Sequence, residues 1–446
     1  MRPNVQVPPD PNKVNGSPTK DFFITMLTRD ISLIDAISDL VDNCVDGAIK
    51  LKGRGKFTGL EVNITVNEDC FIIKDNCSGI DKELAQNYAF RFGRPSEAAQ
   101  TNFSVGQFGI GMKRALFKMG NKFEINSVSR NASFCIKINV NKWSKDESWD
   151  FKLDQLIEKK YPIKECGTEI IVSSLNPDVK ERFKQNNFLS ELKEKLELQH
   201  LRNISKGLTI KINTHPIKSN QLQLLNSDKF TTAYWAKNFK IYGNTNVKIY
   251  AGIGQQNLKM GGWYIFCNNR LIQGPEQTGI SGWGVKTPVK IPEYHSQYGR
   301  FRGFVFFESK APSFLPWNTS KTSVDTDSPI FESVKLKMIL LMRPIIDFLN
   351  KVHDESGAYL NKKLEEKYLQ NKIDSATLKN YLDVRTSSKF IPPTQNKMVK
   401  KIDEVRIRYI RTEERVEKLK KFFRVASPKQ VGEKTFDYTY DRECKE

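Results

Sequence analysis

Helix-like and strand-like patterns follow one another in the first 175 residues, and their order restricts the folds that this chain can adopt. An apolar repeat of about 3.6 residues between 33 and 48 predicts an amphipathic helix, and residues 81–90 and 111–119 also have helical patterns. Apolar or alternating runs predict strands at 60–66, 70–74, 122–129, 133–140 and 168–174. Helices interspersed with strands in this order predict a two-layer α/β sandwich.

Four polar residues share one face of the first predicted helix, opposite its apolar stripe: Asp35, Asp39, Asn43 and Asp46. An amide oxygen beside carboxylates suits Mg²⁺, a hard cation that prefers oxygen ligands, so Asn43 is a candidate metal ligand. A carboxylate one turn away is placed to orient a water for attack on phosphate. Taken alone, the segment is equally compatible with a solvated acidic face.

The motif D-N-C-S-G-I at 75–80 directly follows a predicted strand, so Asp75 is expected to point into a cleft. Its carboxylate can accept a hydrogen bond from an exocyclic amine, which adenine offers where guanine has a carbonyl. A simple β-turn, with Asp75 capping the next helix, is the alternative for this segment alone.

The motif S-V-G-Q-F-G-I-G-M-K at 104–113 places Gly106, Gly109 and Gly111 before a predicted helix. Backbone N–H groups and the helix dipole favour phosphate at such a position, and Lys113 would add a positive charge. The polar loop at 91–105 is expected to close over the site as a lid. A flexible loop that happens to contain glycines is the alternative.

The order and spacing of these three motifs resemble the Bergerat ATP-binding fold of gyrase B subunits, ninety-kilodalton heat-shock chaperones, histidine kinases and MutL, the GHKL superfamily. The similarity covers roughly 20–215, and Gly167-Thr168 resembles the G-T motif of that superfamily. The resemblance implies ATP and Mg²⁺ as cofactors, with Asn43 on the metal and Asp39 orienting the attacking water. It also implies that the nucleotide is bound by Asn43, Asp46, Asp75, Gly79, Gly106, Gln107, Phe108, Gly109, Ile110, Gly111, Lys113 and Thr168.

Two positions depart from the superfamily pattern. Asp39 stands where the superfamily usually has Glu, and its side chain is shorter by about 1.5 Å, so slow hydrolysis is expected. Cys77 stands where the first glycine of the usual D-x-G-x-G lies, so either its side chain fits beside the nucleotide or the turn adjusts.

A second region resembles the transducer domain of gyrase B, MutL and MORC ATPases. The segment G-G-W-Y-I-F-C-N-N-R-L-I at 261–272 is similar to the strand–turn start of that domain, and P-W-N-T-S-K-T at 316–322 resembles the loop with the transducer lysine. The resemblance implies an α+β domain with a ribosomal-protein-like fold, in which Lys321 enters the nucleotide site and senses the γ-phosphate. It also implies an ATP-dependent homodimer. The stretch F-R-F-G-R-P-S…V-G-Q-F-G-I-G-M-K-R-A is most similar to MORC proteins.

The chain is therefore expected to divide into an N-terminal arm (1–20), a GHKL ATP-binding domain (21–220), a transducer domain (221–353) and a charged helical C-terminal region (354–446). In the last region a heptad pattern extends over about four heptads, in Met398, Ile402, Val405, Tyr409, Thr412, Val416, Leu419 and Phe423. A coiled-coil arm and an amphipathic helix folded back on the body both fit this pattern.

The chain is basic, with 71 Lys+Arg, 51 Asp+Glu and a formal net charge of +20, which favours a polyanionic partner such as DNA. Seven scattered cysteines without a C-x-x-C pair argue against a disulfide framework or a zinc site. No apolar run approaches the roughly 18–20 residues of a membrane span, and no secretory signal pattern is present. We therefore expect no membrane association and a location in the bacterial cytoplasm or, in a eukaryote, the nucleus.

Three functions fit these observations. The first is a slow Mg-ATPase whose nucleotide-dependent dimerisation drives clamping or remodelling on DNA. The second is a protein-remodelling chaperone, because V-G-Q-F-G-I-G also resembles the heat-shock chaperones. The third is the nucleotide-sensing subunit of a multi-protein defence or signalling system that acts through a separate effector protein.

Overall fold

The computed structural model describes residues 18–93, 102–106, 109–219, 221–361, 364, 366–393 and 407–444. The chain forms two compact units, Met1–Gln395 and Asn396–Glu446. The predicted arm at 1–20 lies almost entirely outside the described residues, as do Gln107, Phe108 and the first three positions of the heptad pattern. No helix among the described residues is both long and apolar enough to span a bilayer.

The helices and strands of the first unit are as follows. The helices in its described part are α1 (Lys20–Arg29), α2 (Leu33–Lys52), α3 (Lys82–Leu84), α4 (Gly111–Met119), α5 (Val140–Trp143), α6 (Pro177–Lys184), α7 (Phe188–Gln199), α8 (Leu201–Ser205), α9 (Pro329–Leu360) and α10 (Tyr368–Asp374). The strands are β1 (Glu61–Val66), β2 (Cys70–Asp75), β3 (Gly120–Val128), β4 (Ala132–Asn139), β5 (Asp154–Glu158), β6 (Gly167–Leu175), β7 (Thr209–Ile212), β8 (His215–Pro216), β9 (Gln223–Asn226), β10 (Thr232–Phe239), β11 (Thr245–Ile253), β12 (Gly262–Cys267), β13 (Arg270–Glu276), β14 (Phe301–Glu308), β15 (Thr377–Asn380) and β16 (Thr386–Ser387).

The first sheet has eight strands in the order β5-β4-β3-β6-β2-β1-β7-β8, and only β1 and β7 are parallel neighbours. Helices pack on one of its faces, where Ile37 of α2 and Leu116 of α4 share an apolar core with Phe71, Ile125 and Val172 of the strands. This arrangement confirms the predicted α/β sandwich. The predicted helix at 81–90 is α-helical only in α3 and continues as a π-helical turn, Ala85–Ala89.

The second sheet has six strands in the order β13-β12-β14-β11-β10-β16, and β15 pairs with β9 in a separate ribbon. Both faces of the six-stranded sheet are covered, which explains why β12 and β14 are apolar without alternation. On one face Trp263 donates a hydrogen bond to the sulfur of Met342 in α9, at 3.3 Å. On the other face the ring of Tyr381 stacks on Phe306.

The second sheet includes residues from the region that was expected to be a separate tail. The predicted boundary at 353/354 falls inside α9, which continues to Leu360. Beyond it, β16 pairs with β10, and Phe390 belongs to the same apolar core as α9. The charged composition of this segment hid its strands, which are only two and four residues long.

The second unit contains a pair of short helices, α11 (Glu413–Phe423) and α12 (Pro428–Glu443). The predicted continuous heptad helix is wrong, because residues 407–412 are not helical and α11 begins after Thr412. The chain turns at Arg424, in the left-handed conformation with φ +52°, and Ser427 with Gln430 forms a capping box for α12. Thr412, the polar break in the heptad pattern, is therefore a helix N-cap position.

Candidate functional site

One cleft of about 230 Å³ opens between α2, the end of β2, the glycine motif, α4 and the loop that carries Lys321. It contains every predicted site residue that the structure describes. These are Asp39, Asn43, Asp46, Asp75, Gly79, Gly106, Gly109, Ile110, Gly111, Lys113, Thr168 and Lys321. Gln107 and Phe108 lie outside the described residues.

Asp75 ends strand β2 at one side of the cleft, opposite Thr168 of β6 in the sheet register. Its Oδ1 accepts a hydrogen bond of 2.8 Å from the backbone N–H of Cys77. Burial raises the pKa of Asp75 to about 6, although that hydrogen bond and the thiol of Cys44 favour the charged form. The carboxylate is thus a half-buried acceptor held in a fixed direction, which suits recognition of a single amine.

The turn after Asp75 accommodates Cys77 because of two glycines. A Cβ atom built on Gly47 of α2 would lie only 3.1 Å from the Cβ of Cys77. Because glycine has no Cβ, the helix leaves space there for the Cys77 side chain. Gly79 has φ +66°, and a Cβ there would lie 2.0 Å from the carbonyl oxygen of Val128. The turn therefore keeps its close approach to the sheet at Gly79, and the Cys77 side chain is buried against α2.

Asp46 anchors the start of the glycine motif. Its two carboxylate oxygens accept hydrogen bonds of 2.7 Å from the backbone N–H groups of Val105 and Gly106. A Cβ on Gly106 would lie 2.8 Å from Oδ2 of Asp46, so a larger residue would disturb this contact. Burial raises the pKa of Asp46 to about 6, against the effect of the two N–H donors.

The first turn of α4 faces the cleft without a side-chain cap. Ile110 occupies the N-cap position and supplies no capping hydrogen bond. Lys113 is buried, donates a hydrogen bond of 3.0 Å to the carbonyl of Ala89 and also contacts the carbonyl of Gly109. Burial lowers its pKa to about 7. Uncapped N–H groups and a nearby lysine form a site that favours an anion.

Lys321 reaches the cleft from the loop between β14 and α9, and it contacts two carboxylates of α2. Its Nζ donates to Oδ2 of Asp42 at 2.8 Å and to Oδ1 of Asp39 at 3.3 Å. Arg114 of α4 donates to the other oxygen of Asp39 at 2.5 Å. All four side chains are at least nine-tenths buried. Burial alone would lower the pKa of Lys321, but the two carboxylates outweigh it and raise that pKa.

Sequence reasoning missed Asp42, Arg114 and Arg270. Asp42 lies on the side of α2 that faces the second sheet, where Arg270 donates to its Oδ1 at 2.8 Å. Burial alone would raise the pKa of Asp42, but the positive charges of Arg270 and Lys321 outweigh burial and hold that pKa below its usual value. A charged residue among the apolar positions Val41 and Val45 was the available signal, because a buried carboxylate requires a buried cation.

The amide oxygen of Asn43 is a suitable ligand for a magnesium ion. The side chain is exposed in the cleft, and its amide has no hydrogen-bond partner among the described residues. Its Oδ1 would lie 3.6 Å from a Cβ on Gly106, so it faces the start of the glycine motif. A single amide oxygen beside an anion-binding helix end matches a cation that keeps several waters and takes further ligands from phosphates.

Residues 31–170 match the family of histidine kinase-, DNA gyrase B- and HSP90-like ATPases. The matched segment contains α2, the motifs at 75–80 and 104–113, and Thr168. It therefore supplies the described lining of the cleft apart from Thr319 and Lys321. This part of the chain is similar to that ATPase family, and the match supports ATP as the ligand of the cleft. A comparison with curated proteins returns no match.

Proposed function

We propose that the chain is a slow Mg-ATPase in which a lysine from the loop between β14 and α9 senses the third phosphate. The observation that carries this proposal is the contact of Lys321 with Asp39 and Asp42 inside the cleft of the ATPase domain. In the structure two carboxylates satisfy the ammonium group. A γ-phosphate at the end of α4 would offer it a stronger anion, so the position of Lys321 would depend on whether ATP or ADP is bound.

The geometry of the cleft supports the other proposed roles. Asp75 accepts a hydrogen bond from the exocyclic amine of adenine, while the N-terminus of α4 and Lys113 bind the phosphates. Mg²⁺ held by Asn43 would neutralise charge on those phosphates. Asp39 orients the attacking water through the oxygen that Lys321 releases when it moves to the γ-phosphate. This step is slow because the side chain of Asp is shorter than the usual Glu and because Arg114 stays on the other oxygen of Asp39.

The second sheet, with α9 on one face, is proposed to act as a transducer, and the biological output is proposed to be an ATP-dependent homodimer that clamps DNA. The support is the net charge of +20 and the sequence similarity to MORC and MutL proteins. Nucleotide-controlled movement of Lys321 would connect the ATP site to the sheet that carries it.

Two measurements test the proposal. Calorimetry with Mg²⁺ and a non-hydrolysable ATP analogue should show binding to the wild type and a clear loss for Asp75→Asn, and absence of heat with folded protein would refute ATP as the ligand. DNA affinity, measured across a salt series with and without the analogue, should fall steeply with salt and increase with nucleotide. Equal, salt-insensitive or absent DNA binding would contradict the clamp and favour a protein client or a separate effector.

A further inference from the structure

One tight turn of the second sheet packs against elements that form the nucleotide cleft: the turn of Asn268 and Asn269 between β12 and β13, with Arg270 at the start of β13. Asn268 and Asn269 have φ values of +46° and +71°, the left-handed conformation that a two-residue hairpin turn requires. The turn directs Arg270 into the protein, where its side chain is almost fully buried. A large buried cation at this position needs a set of acceptors, and the two elements beside the turn provide them.

The guanidinium of Arg270 joins α2 to the loop of Lys321. Its Nε donates to Oδ1 of Asp42 at 2.8 Å, and its Nη2 donates to Oγ of Ser38 at 3.1 Å. Its Nη1 donates to the backbone carbonyl of Lys321 at 2.5 Å. A planar fork can hold acceptors in three directions at once, which the single ammonium group of a lysine cannot do in the same geometry.

We propose that Arg270 is the positioning residue for Lys321, holding the lysine loop on α2 and keeping Asp42 paired when the lysine moves to the γ-phosphate. This inference rests on the proposed function. Asp42 shares its two oxygens between the cations, Oδ1 with Arg270 and Oδ2 with Lys321. A buried carboxylate left without a partner is strongly unfavourable, so Lys321 can leave Asp42 only because Arg270 stays.

The charges around the lysine support the same role. Besides Asp39 and Asp42, the groups in direct contact within this cluster are the cations Arg114, Arg270 and Lys321 and the ring of His200, whose Nε2 lies 3.8 Å from Oδ1 of Asp42. The carboxylate of Asp46 also attracts Lys321, but its oxygens already accept hydrogen bonds from two backbone N–H groups. With His200 neutral, the contacting groups carry one more positive than negative charge, and an arriving phosphate would compensate this excess. Removing Arg270 would leave two positive and two negative charges among the contacting groups and strengthen the hold of Asp42 on Lys321.

The turn is also fixed to the start of the glycine motif. The amide of Asn268 donates to the carbonyl of Ser104 at 3.2 Å and to that of Ser309 at 3.1 Å. The side chain of Val105 is fully buried in the apolar core of the second sheet. The glycine motif and the lysine loop are therefore held by the same turn and by the residue that follows it, which gives Arg270 a rigid base from which to position Lys321.

The test is the ratio of affinities for a non-hydrolysable ATP analogue and for ADP, each measured with Mg²⁺ by calorimetry. Lys321→Met and Arg270→Gln should each lower the preference for the analogue by about fivefold or more, while ADP affinity stays within about twofold. The double variant should lose no more than Lys321→Met alone, because both changes remove the same interaction. Arg270→Lys should recover only part of the preference.

Arg302→Gln is the matched control. Arg302 is also a buried arginine of the second sheet with three hydrogen bonds to backbone carbonyls, but it lies at the far end of β14 from the turn. Its substitution should leave the affinity ratio unchanged. If Arg270→Gln does not fold, Asp42→Asn/Arg270→Gln removes both charges together, and its preference should still be lowered because the bond to the Lys321 carbonyl is missing.

The outcomes separate the two proposals. If Lys321→Met kept the wild-type ratio of ATP-analogue affinity to ADP affinity, the phosphate-sensing role would be refuted, and the proposed function with it. The positioning role alone would be overturned if Lys321→Met lowered the ratio of analogue to ADP affinity while Arg270→Gln kept the wild-type ratio. A wild-type ratio in Asp42→Asn/Arg270→Gln would have the same meaning. Additive losses in the double variant would do the same, because they would mean that Arg270 acts independently of the lysine.

Discussion

At the scale of single residues, Asp39 illustrates how a short carboxylate is held in the cleft. From the sequence we predict slow hydrolysis, because Asp is shorter than the Glu that usually orients the attacking water. The structure adds that Arg114 and Lys321 each contact one of its oxygens. Its orientation is therefore determined by two buried cations, and it becomes available to a water only if one of them finds another partner.

We expect Asp39→Asn to separate binding from hydrolysis. The amide keeps the shape of the side chain but loses its basicity and its pairing with Arg114, so the rate of ATP hydrolysis should fall by about a hundredfold or more. Affinity for the non-hydrolysable analogue should change by less than about tenfold. Single-turnover hydrolysis and calorimetry on the same preparation measure the two effects, and an unchanged rate would show that Asp39 does not orient the water.

Gly79→Ala tests the close approach of the turn to the sheet. An added Cβ would lie 2.0 Å from the Val128 carbonyl, so either the turn or β3 must move. We expect the free energy of unfolding to drop by about 3 kcal/mol or more, and ATP binding to weaken with it. Gly59→Ala is the control, because φ is +85° there but no atom lies within 4 Å of the added carbon. It should destabilise by only about 1 kcal/mol, and equal losses in both variants would contradict the steric argument.

At the scale of elements, helix α4 combines an open N-terminus with a buried lysine in its first turn. Burial lowers the pKa of Lys113 from 10.5 to about 7, so between these values the unfolded chain binds a proton that the folded chain does not. The free energy of unfolding should therefore rise with pH from about 7 to about 10, by at most about 1.4 kcal/mol per pH unit from this group. Below pH 7 both states are protonated and the group contributes no slope.

Lys113→Met should flatten that rise. Denaturant unfolding of wild type and variant, measured at half-unit steps between pH 6 and pH 10, gives the difference curve. The comparison is needed because burial also lowers the pKa of Lys206, to about 8, and this lysine contributes in the same window. Parallel curves for the two proteins would mean that Lys113 is not a buried titrating group in the folded state.

The elements also show what the sequence could predict. The stripe of α2 and the alternation of β1 and β2 are local patterns, and they led directly to the side of the cleft formed by Asp39, Asn43 and Asp75. The pairing of Asp42 with Arg270 joins residues 228 positions apart, and no local pattern records such a contact. The strands β15 and β16 were missed because pairing with strands that are distant in sequence stabilises them, not their own composition.

At the scale of the whole molecule, the cleft and both sheets lie within the first compact unit. Ion pairs join the two sheet regions outside the cleft as well, since Glu308 at the end of β14 contacts Arg54 after α2 at 2.5 Å and Arg202 of α8 at 3.5 Å. Two separate groups of charges therefore connect the ATP-binding part with the second sheet. Residues 366–391 add β16 to that sheet and three buried apolar side chains to its core, so they belong with the first unit and not with the helical pair that follows.

This division predicts how two shortened chains behave. A chain of residues 1–395 keeps every residue of the cleft and both sheets, so its melting temperature and its affinity for the ATP analogue should match those of the full chain. A chain of residues 1–360 loses β15, β16 and the buried side chains of Leu369, Ile373 and Phe390 from the core against α9. It also leaves the buried Glu355 without the backbone N–H donors of Leu369 and Gln370.

We therefore expect 1–360 to melt at least about 10 °C below 1–395 or to aggregate, because each large buried side chain removed destabilises by about 2–5 kcal/mol. Differential scanning calorimetry of the two chains, with and without Mg²⁺ and the ATP analogue, makes the comparison. If 1–360 were as stable as 1–395, the pairing of 366–391 with the second sheet would be unimportant for the fold. If 1–395 failed to bind nucleotide, the helical pair would have to contribute to the ATP site, and the cleft described here would be incomplete without it.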